Sequence, residues 1–113
     1  MEINTLLNDL VNLLKPSDPY KIILFGSYAN GTPNEHSDID IMLILDNYEV
    51  AKTYRERLDK EIFIRGLVRE INEEMPMDIL IYSREELDII KKDGNCFIEE
   101  IEKTGKVIYE KAG

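Results

Sequence analysis

Apolar residues recur along this chain in two rhythms, one helical and one strand-like. Leu6, Leu7, Leu10, Val11, Leu13 and Leu14 fall at helical spacing within residues 4–14, and the run stops at Lys15-Pro16, where proline blocks continuation. Pro16-Ser17-Asp18-Pro19 reads as a turn-rich connector. Lys21-Ile22-Ile23-Leu24-Phe25 is then short, apolar and bounded by Gly26, the pattern of a buried strand. Ser27-Tyr28-Ala29-Asn30, closed by Gly31, has room for one or two helical turns. Residues 32–37 contain no apolar side chain and are dense in turn formers, so an exposed loop is expected there. Asp38 to Leu45 returns to a strand pattern, with two aspartates at its start.

The second half reads in the same way. Glu49 to Glu74 places Tyr54, Leu58, Ile62, Leu67, Val68 and Ile71 near helical spacing, which predicts one long helix bent at Gly66. Met75-Pro76 ends it, and Met77 to Tyr82 is a third strand interrupted by one charge, Asp78. Ser83-Arg84-Glu85-Glu86 has the form of a capping box and predicts a helix that ends near Asp93-Gly94. Asn95 to Thr104, with Phe97, Ile98 and Ile101 on one face, predicts a further helix, and Lys106 to Tyr109 a last short strand. The segment between the first two strands is too short for a parallel crossover, which needs a dozen or more residues. The expected fold is therefore α/β (α+β), a mixed sheet of about four strands flanked by helices, in a single domain over residues 1–113.

Composition narrows the picture. With 113 residues, 43% hydrophobic and 33% charged, the chain has enough apolar material for one core. Its 23 acidic against 14 basic residues give a net charge of −9, which disfavours nucleic acid as the main partner and suits divalent cations or a basic protein surface. No apolar run approaches a membrane span and no secretory signal pattern opens the chain. Cys96, the single cysteine, excludes an intrachain disulfide and is expected to pack as a small apolar residue beside Phe97. Together these predict a cytoplasmic protein without a membrane partner. His36 is expected to be solvated, Lys91-Lys92 to complement a helix end, and the tyrosines to form no cage.

The candidate chemistry lies in Asp38 and Asp40. Two residues apart in a strand, they would point to one face with Cα atoms about 6.5–7 Å apart, while Ile39 turns into the core. Asp78 is a lone carboxylate in an apolar run, costly to bury unless it sits at a sheet end or meets a cation. Three such carboxylates from neighbouring strands suit two Mg²⁺ ions of the kind that promote phosphoryl displacement. Gly26-Ser27, at the turn from a strand into a helix, would offer backbone N–H groups and a hydroxyl to phosphate. Ser27 could equally cap the short helix. With nine aspartates, an Asp-x-Asp by itself carries little weight, but a Gly-Ser ten residues ahead of it, at the end of a strand, is a far rarer coincidence.

Phe25-Gly26-Ser27-Tyr28-Ala29-Asn30-Gly31 followed by Ser37-Asp38-Ile39-Asp40 resembles the signature of the minimal nucleotidyltransferases of the DNA polymerase β superfamily, with Asp78 in Met77-Asp78-Ile79-Leu80 at the third acidic position. The resemblance implies a polymerase-β-like fold. It also implies two Mg²⁺ ions held by Asp38, Asp40 and Asp78, with the NTP phosphates held at Gly26 and Ser27. The activity implied is transfer of a nucleoside monophosphate, AMP from ATP, to a hydroxyl with release of pyrophosphate. Small members of this kind, the MntA antitoxins, act beside HEPN-domain toxins and adenylylate a tyrosine on them, which makes a HEPN-type toxin the expected partner. Many relatives carry arginine where this chain has Asn30. Two other functions remain compatible with the sequence: a nucleotide-binding antitoxin that neutralises its partner by contact alone, and transfer to a small-molecule antibiotic, for which a chain of this length has little room.

Overall fold

The computed structural model describes residues 2–33 and 37–112. Helix α1 (Ile3–Leu14) buries Leu6, Leu10 and Leu14, one residue per turn on a single stripe. It is followed by a 3₁₀ turn over Lys15–Ser17, with Asp18 in the left-handed region as its cap. Strand β1 (Pro19–Phe25) runs into the four-residue helix α2 (Ser27–Asn30), which ends at Gly31 with φ 74°. Strand β2 (Ile39–Leu45) is buried at every position except Asp40. Its first residue is Ile39, whose N–H donates to the Pro76 carbonyl at 3.0 Å, so Asp38 lies just ahead of the strand and is exposed. The expectation that both aspartates lie inside the strand is corrected by this one-residue shift.

The long helix expected over residues 49–74 is two helices. Residues 49–52 lie outside both, and Thr53 caps α3 (Tyr54–Leu67) by accepting from the Glu56 N–H. The break comes at Val68, with φ −109° and ψ 14°, and α4 (Arg69–Glu74) follows. Gly66, the expected hinge, stays within α3. Val68 is 1% exposed, and its packing into the core among the strand residues is where the helix yields. Strand β3 (Met77–Ser83) leads directly into α5 (Arg84–Lys92). There the expected capping box is complete: Ser83 Oγ accepts from the Glu86 N–H at 3.1 Å, and Glu86 Oε1 accepts from the Ser83 N–H at 2.9 Å. Lys91 and Lys92 occupy the last turn of α5, where they complement its dipole.

Helix α6 (Cys96–Thr104) is capped by Asn95, whose Oδ1 accepts from the Ile98 N–H at 3.1 Å. That cap makes Cys96 the first helical residue and turns it outward. Contrary to expectation, Cys96 is exposed, and Phe97 stands apart from the buried face formed by Ile98 and Ile101. Strand β4 (Lys106–Glu110) completes the sheet.

The strand order is β3-β2-β1-β4. β1 pairs antiparallel with β2 and β4, and β2 pairs parallel with β3, so the sheet is mixed, as the short connection through α2 requires. The helices α1, α3 and α4 cover one face over Ile22, Leu24, Ile39, Ile41 and Leu43. On the other face α5 and α6 pack Leu87, Ile98 and Ile101 over Ile23, Met42 and Ile44. The even-numbered positions of β2 thus face α5 and α6, and Asp40 continues that row at the open end of the sheet.

Candidate active site

Asp40 sits on the central strand, and the parallel register of β2 and β3 sets Asp78 directly beside it. Residues opposite one another in adjacent strands point to the same face, so the two carboxyl groups meet. Burial raises the Asp40 pKa above its ordinary value. The negative charge of Asp78, the hydrogen bond to it and the charge of Asp38 add to the shift. Ionising Asp40 is therefore harder than ionising a solvated aspartate. Asp38 contributes its charge from the exposed residue before the strand.

The turn after β1 is shaped around the same carboxylate. Phe25 is the register partner of Asp40, so the next residue, Gly26, passes close to the Asp40 side chain. Gly26 adopts φ 76° and ψ −156°, a conformation open to glycine alone, and a Cβ there would overlap Asp40 Oδ2 outright. Two independent constraints thus require glycine at this position. The Gly26 carbonyl accepts from the N–H groups of Ala29 and Asn30, each at 3.1 Å, which closes α2 immediately after the strand. Gly26 is the N-cap, and Ser27 is the first helical residue and caps nothing with its side chain. The capping role considered for Ser27 is thereby removed. Tyr28 anchors the turn from behind, with its hydroxyl donating to Met75 Sδ at 3.6 Å.

Phe25, Asp40, Asp78, Leu80 and Phe97 line an open groove of about 380 Å³, and Arg65 reaches it from α3. Phe25 and Phe97 meet edge to face with ring centroids 5.9 Å apart. Neither Arg65 nor Phe97 is evident as a site residue in the sequence, because both belong to helices far from the motif. Asn30 is exposed at the end of α2. His36 lies outside the described residues.

The donor set suits a hard divalent cation. It offers only carboxylate oxygens, and a cation would offset the burial and the neighbouring negative charges that raise the Asp40 pKa. Among the described residues no group of three His, Cys, Asp or Glu side chains is gathered closely enough to cage an ion by itself.

A second cluster lies at the opposite end of the sheet. Arg84 stacks over Tyr20 at 4.0 Å and Tyr48 at 5.1 Å, so two tyrosines do form a cation-binding pair, against the expectation from their spacing. Arg84 also donates to Asp46 Oδ1 at 3.1 Å, and Lys111 joins Asp46 at 2.7 Å and Asp18 at 2.9 Å. Hydrogen bonds from Lys111 and then Arg84 hold the Asp46 carboxyl below its ordinary pKa. This cluster ties together the strand ends remote from Asp40.

The family model described as polymerase beta, nucleotidyltransferase, matches residues 8–112. The chain belongs to this nucleotidyltransferase family. It is 31% identical over 112 residues to a Methanocaldococcus jannaschii protein, MJ1305, assigned as a protein adenylyltransferase; the match covers 96% of this chain and 73% of the relative. It is 38% identical over 64 residues to the protein adenylyltransferase MntA of Shewanella oneidensis, covering 49% of this chain and 46% of that protein. Two solved structures share the fold. A Sulfolobus solfataricus protein assigned as a nucleotidyltransferase matches with TM-score 0.61 at 16% identity, over 95% of this chain and 79% of that one. A toxin-antitoxin structure with AMP-PNP matches with TM-score 0.59 at 20% identity, over 93% and 73%. Among the described residues no helix of this nucleotidyltransferase is long and apolar enough to cross a membrane.

Proposed function

We propose that this chain is a Mg²⁺-dependent protein adenylyltransferase that transfers AMP from ATP to a tyrosine hydroxyl of a HEPN-type toxin and so acts as its antitoxin. The observation that carries the reading is the Asp40–Asp78 pair, set side by side by the parallel register, with the Gly26 turn fitted against Asp40. The names of the relatives, protein adenylyltransferases that include MntA, support the acceptor class.

Each residue has a separate task in this reading. Ser27 and the first amides of α2, for which a helix supplies no internal acceptor, hold the terminal phosphates of ATP. Asp38, Asp40 and Asp78 are the residues that would hold Mg²⁺, Asp38 and Asp40 both ions and Asp78 one, and the ions when bound would supply charge neutralisation at the phosphates. Asp78, exposed at the open side of the pair, assists removal of the acceptor proton. The acceptor oxygen forms a bond to the α-phosphorus and the bond from that phosphorus to the bridging oxygen breaks. Pyrophosphate leaves with the electron pair, and the acceptor proton passes to the carboxylate and then to solvent.

The test is incubation of the chain with a HEPN-type toxin and ATP labelled at the α-phosphate. Label on the toxin, absent with Asp38→Asn plus Asp40→Asn, is the expected result. Neutralisation of the toxin without label would replace transfer by binding alone. Loss of Mg²⁺-dependent ATP binding in the same double variant, measured by titration calorimetry, checks the donor site separately.

A further inference from the structure

The order of the strands decides from which side an acceptor can arrive. Asp40 lies between β1, which carries the Gly26-Ser27 turn, and β3, which carries Asp78. In phosphoryl transfer the attacking and leaving oxygens lie roughly in line through phosphorus. With the leaving pyrophosphate at Gly26-Ser27, the attacking oxygen must come from the opposite side, across Asp78 and the edge strand β3. Arg65 comes from that side, since α3 runs beside β3 and its Arg57, Lys60 and Glu61 border a hollow against Ile79–Tyr82.

The chemistry of the groove also selects its occupant. Phe25, Leu80 and Phe97 give it apolar walls, and Phe97 is 54% exposed, an aromatic ring left partly uncovered at the mouth of the groove. Arg65 is the basic residue among the groove's lining side chains, and its ion pair to Glu61 one turn earlier is loose, at 3.7 Å. A planar cation beside apolar walls suits an aromatic ring that ends in a hydroxyl, because the ring can lie against the phenylalanines while the guanidinium donates to the oxygen. A serine or threonine acceptor would leave those walls unused.

We propose that Arg65 and Phe97, lining this groove, are the residues that position the phenolic acceptor against Asp78. The proposal rests on the adenylyl-transfer reading above, which already brings a tyrosine hydroxyl to Asp78, and adds the residues that hold it there.

The groove can be tested without turnover by titrating the ¹⁵N-labelled chain with N-acetyltyrosinamide and following backbone amides by NMR. The expected result is saturable shifts at Arg65, Leu80 and Phe97, with affinity about ten-fold weaker in Arg65→Ala and with N-acetylphenylalaninamide, which lacks the hydroxyl. Phe97→Ala should weaken the probe as well, and saturation with Mg²⁺ and AMP-PNP should leave it bound. Absence of shifts in the groove would overturn the proposal. Displacement of the probe by AMP-PNP would also overturn it, by making the groove the nucleoside pocket. The donor reading is followed separately in the same spectra, because AMP-PNP with Mg²⁺ should shift Gly26 and Ser27 in the wild type and in Arg65→Ala alike.

Discussion

Asp40 occupies the central strand with Asp38 ahead of it in the chain and Asp78 beside it in register, and burial together with these two neighbours raises its pKa. A raised folded-state value means that the ionised form costs stability at neutral pH, and the cost disappears as pH falls through that value. Asp40→Asn should therefore stabilise the ligand-free protein at pH 7, with a rise of a few degrees in Tm, while it removes metal and nucleotide binding. The gain should shrink as the pH of the thermal scans is lowered toward the acid range. A drop in Tm at pH 7 would mean that the carboxylate is needed for structure.

At the scale of elements, Glu86 does more than close the capping box of α5. It is 6% exposed, and it also accepts from the Ala51 N–H at 3.1 Å and from Lys60 Nζ at 3.1 Å, so one carboxylate joins α5, α3 and the segment between β2 and α3. Burial alone would raise its pKa, but the N–H groups of Ser83 and Ala51 and the Lys60 ammonium outweigh burial and hold it below 4.5. Its stabilisation is present above that ordinary value and is lost as pH falls through the lower folded value. Glu86→Gln should cost about 2 kcal/mol by urea unfolding at pH 7, and the difference from wild type should narrow below pH 4.5. An undiminished difference in acid would point to packing rather than charge. Gly66 gives the opposite case. It lies inside α3 with open space around it, so Gly66→Ala should add about 0.5–1 kcal/mol, read by the same unfolding curves. These two residues mark what could be read from the sequence. The capping box was legible because it is local, four residues whose hydrogen bonds close on themselves. The further contacts of Glu86 span 26 and 35 residues and have no local signature. The break at Val68 was likewise set by tertiary packing, whereas Gly66 offered only a local propensity. In the candidate site, one short spacing singles out Asp38, Asp40, Gly26 and Ser27, and isolation in an apolar strand singles out Asp78, which the parallel register sets beside Asp40. Arg65 and Phe97 reach the groove through the folding of α3 and α6, which no spacing encodes.

For the molecule as a whole, the net charge of −9 sets a background against which the site must be read. Self-repulsion destabilises a compact chain of one sign, and any added salt relieves part of it by screening. At the ends of the strands away from the site the acidic groups already have partners: Asp46 with Arg84 and Lys111, Asp18 with Lys111, and Glu110 with Lys21 at 3.9 Å. At the site end Asp40 and Asp78 have each other, and Arg65 is the basic side chain lining the groove that they share. A divalent cation should therefore act on this protein in two separable ways, by general screening and by binding at the carboxylates. Binding to the folded form alone raises stability with the logarithm of ligand concentration. Mg²⁺ should accordingly raise Tm beyond NaCl of equal ionic strength, and chelation should reverse the excess. In Asp38→Asn plus Asp40→Asn the excess should vanish while the screening part remains. Equal effects of the two salts on the wild type would leave the charge of the molecule as a matter of screening only, and would remove the site's claim on the metal.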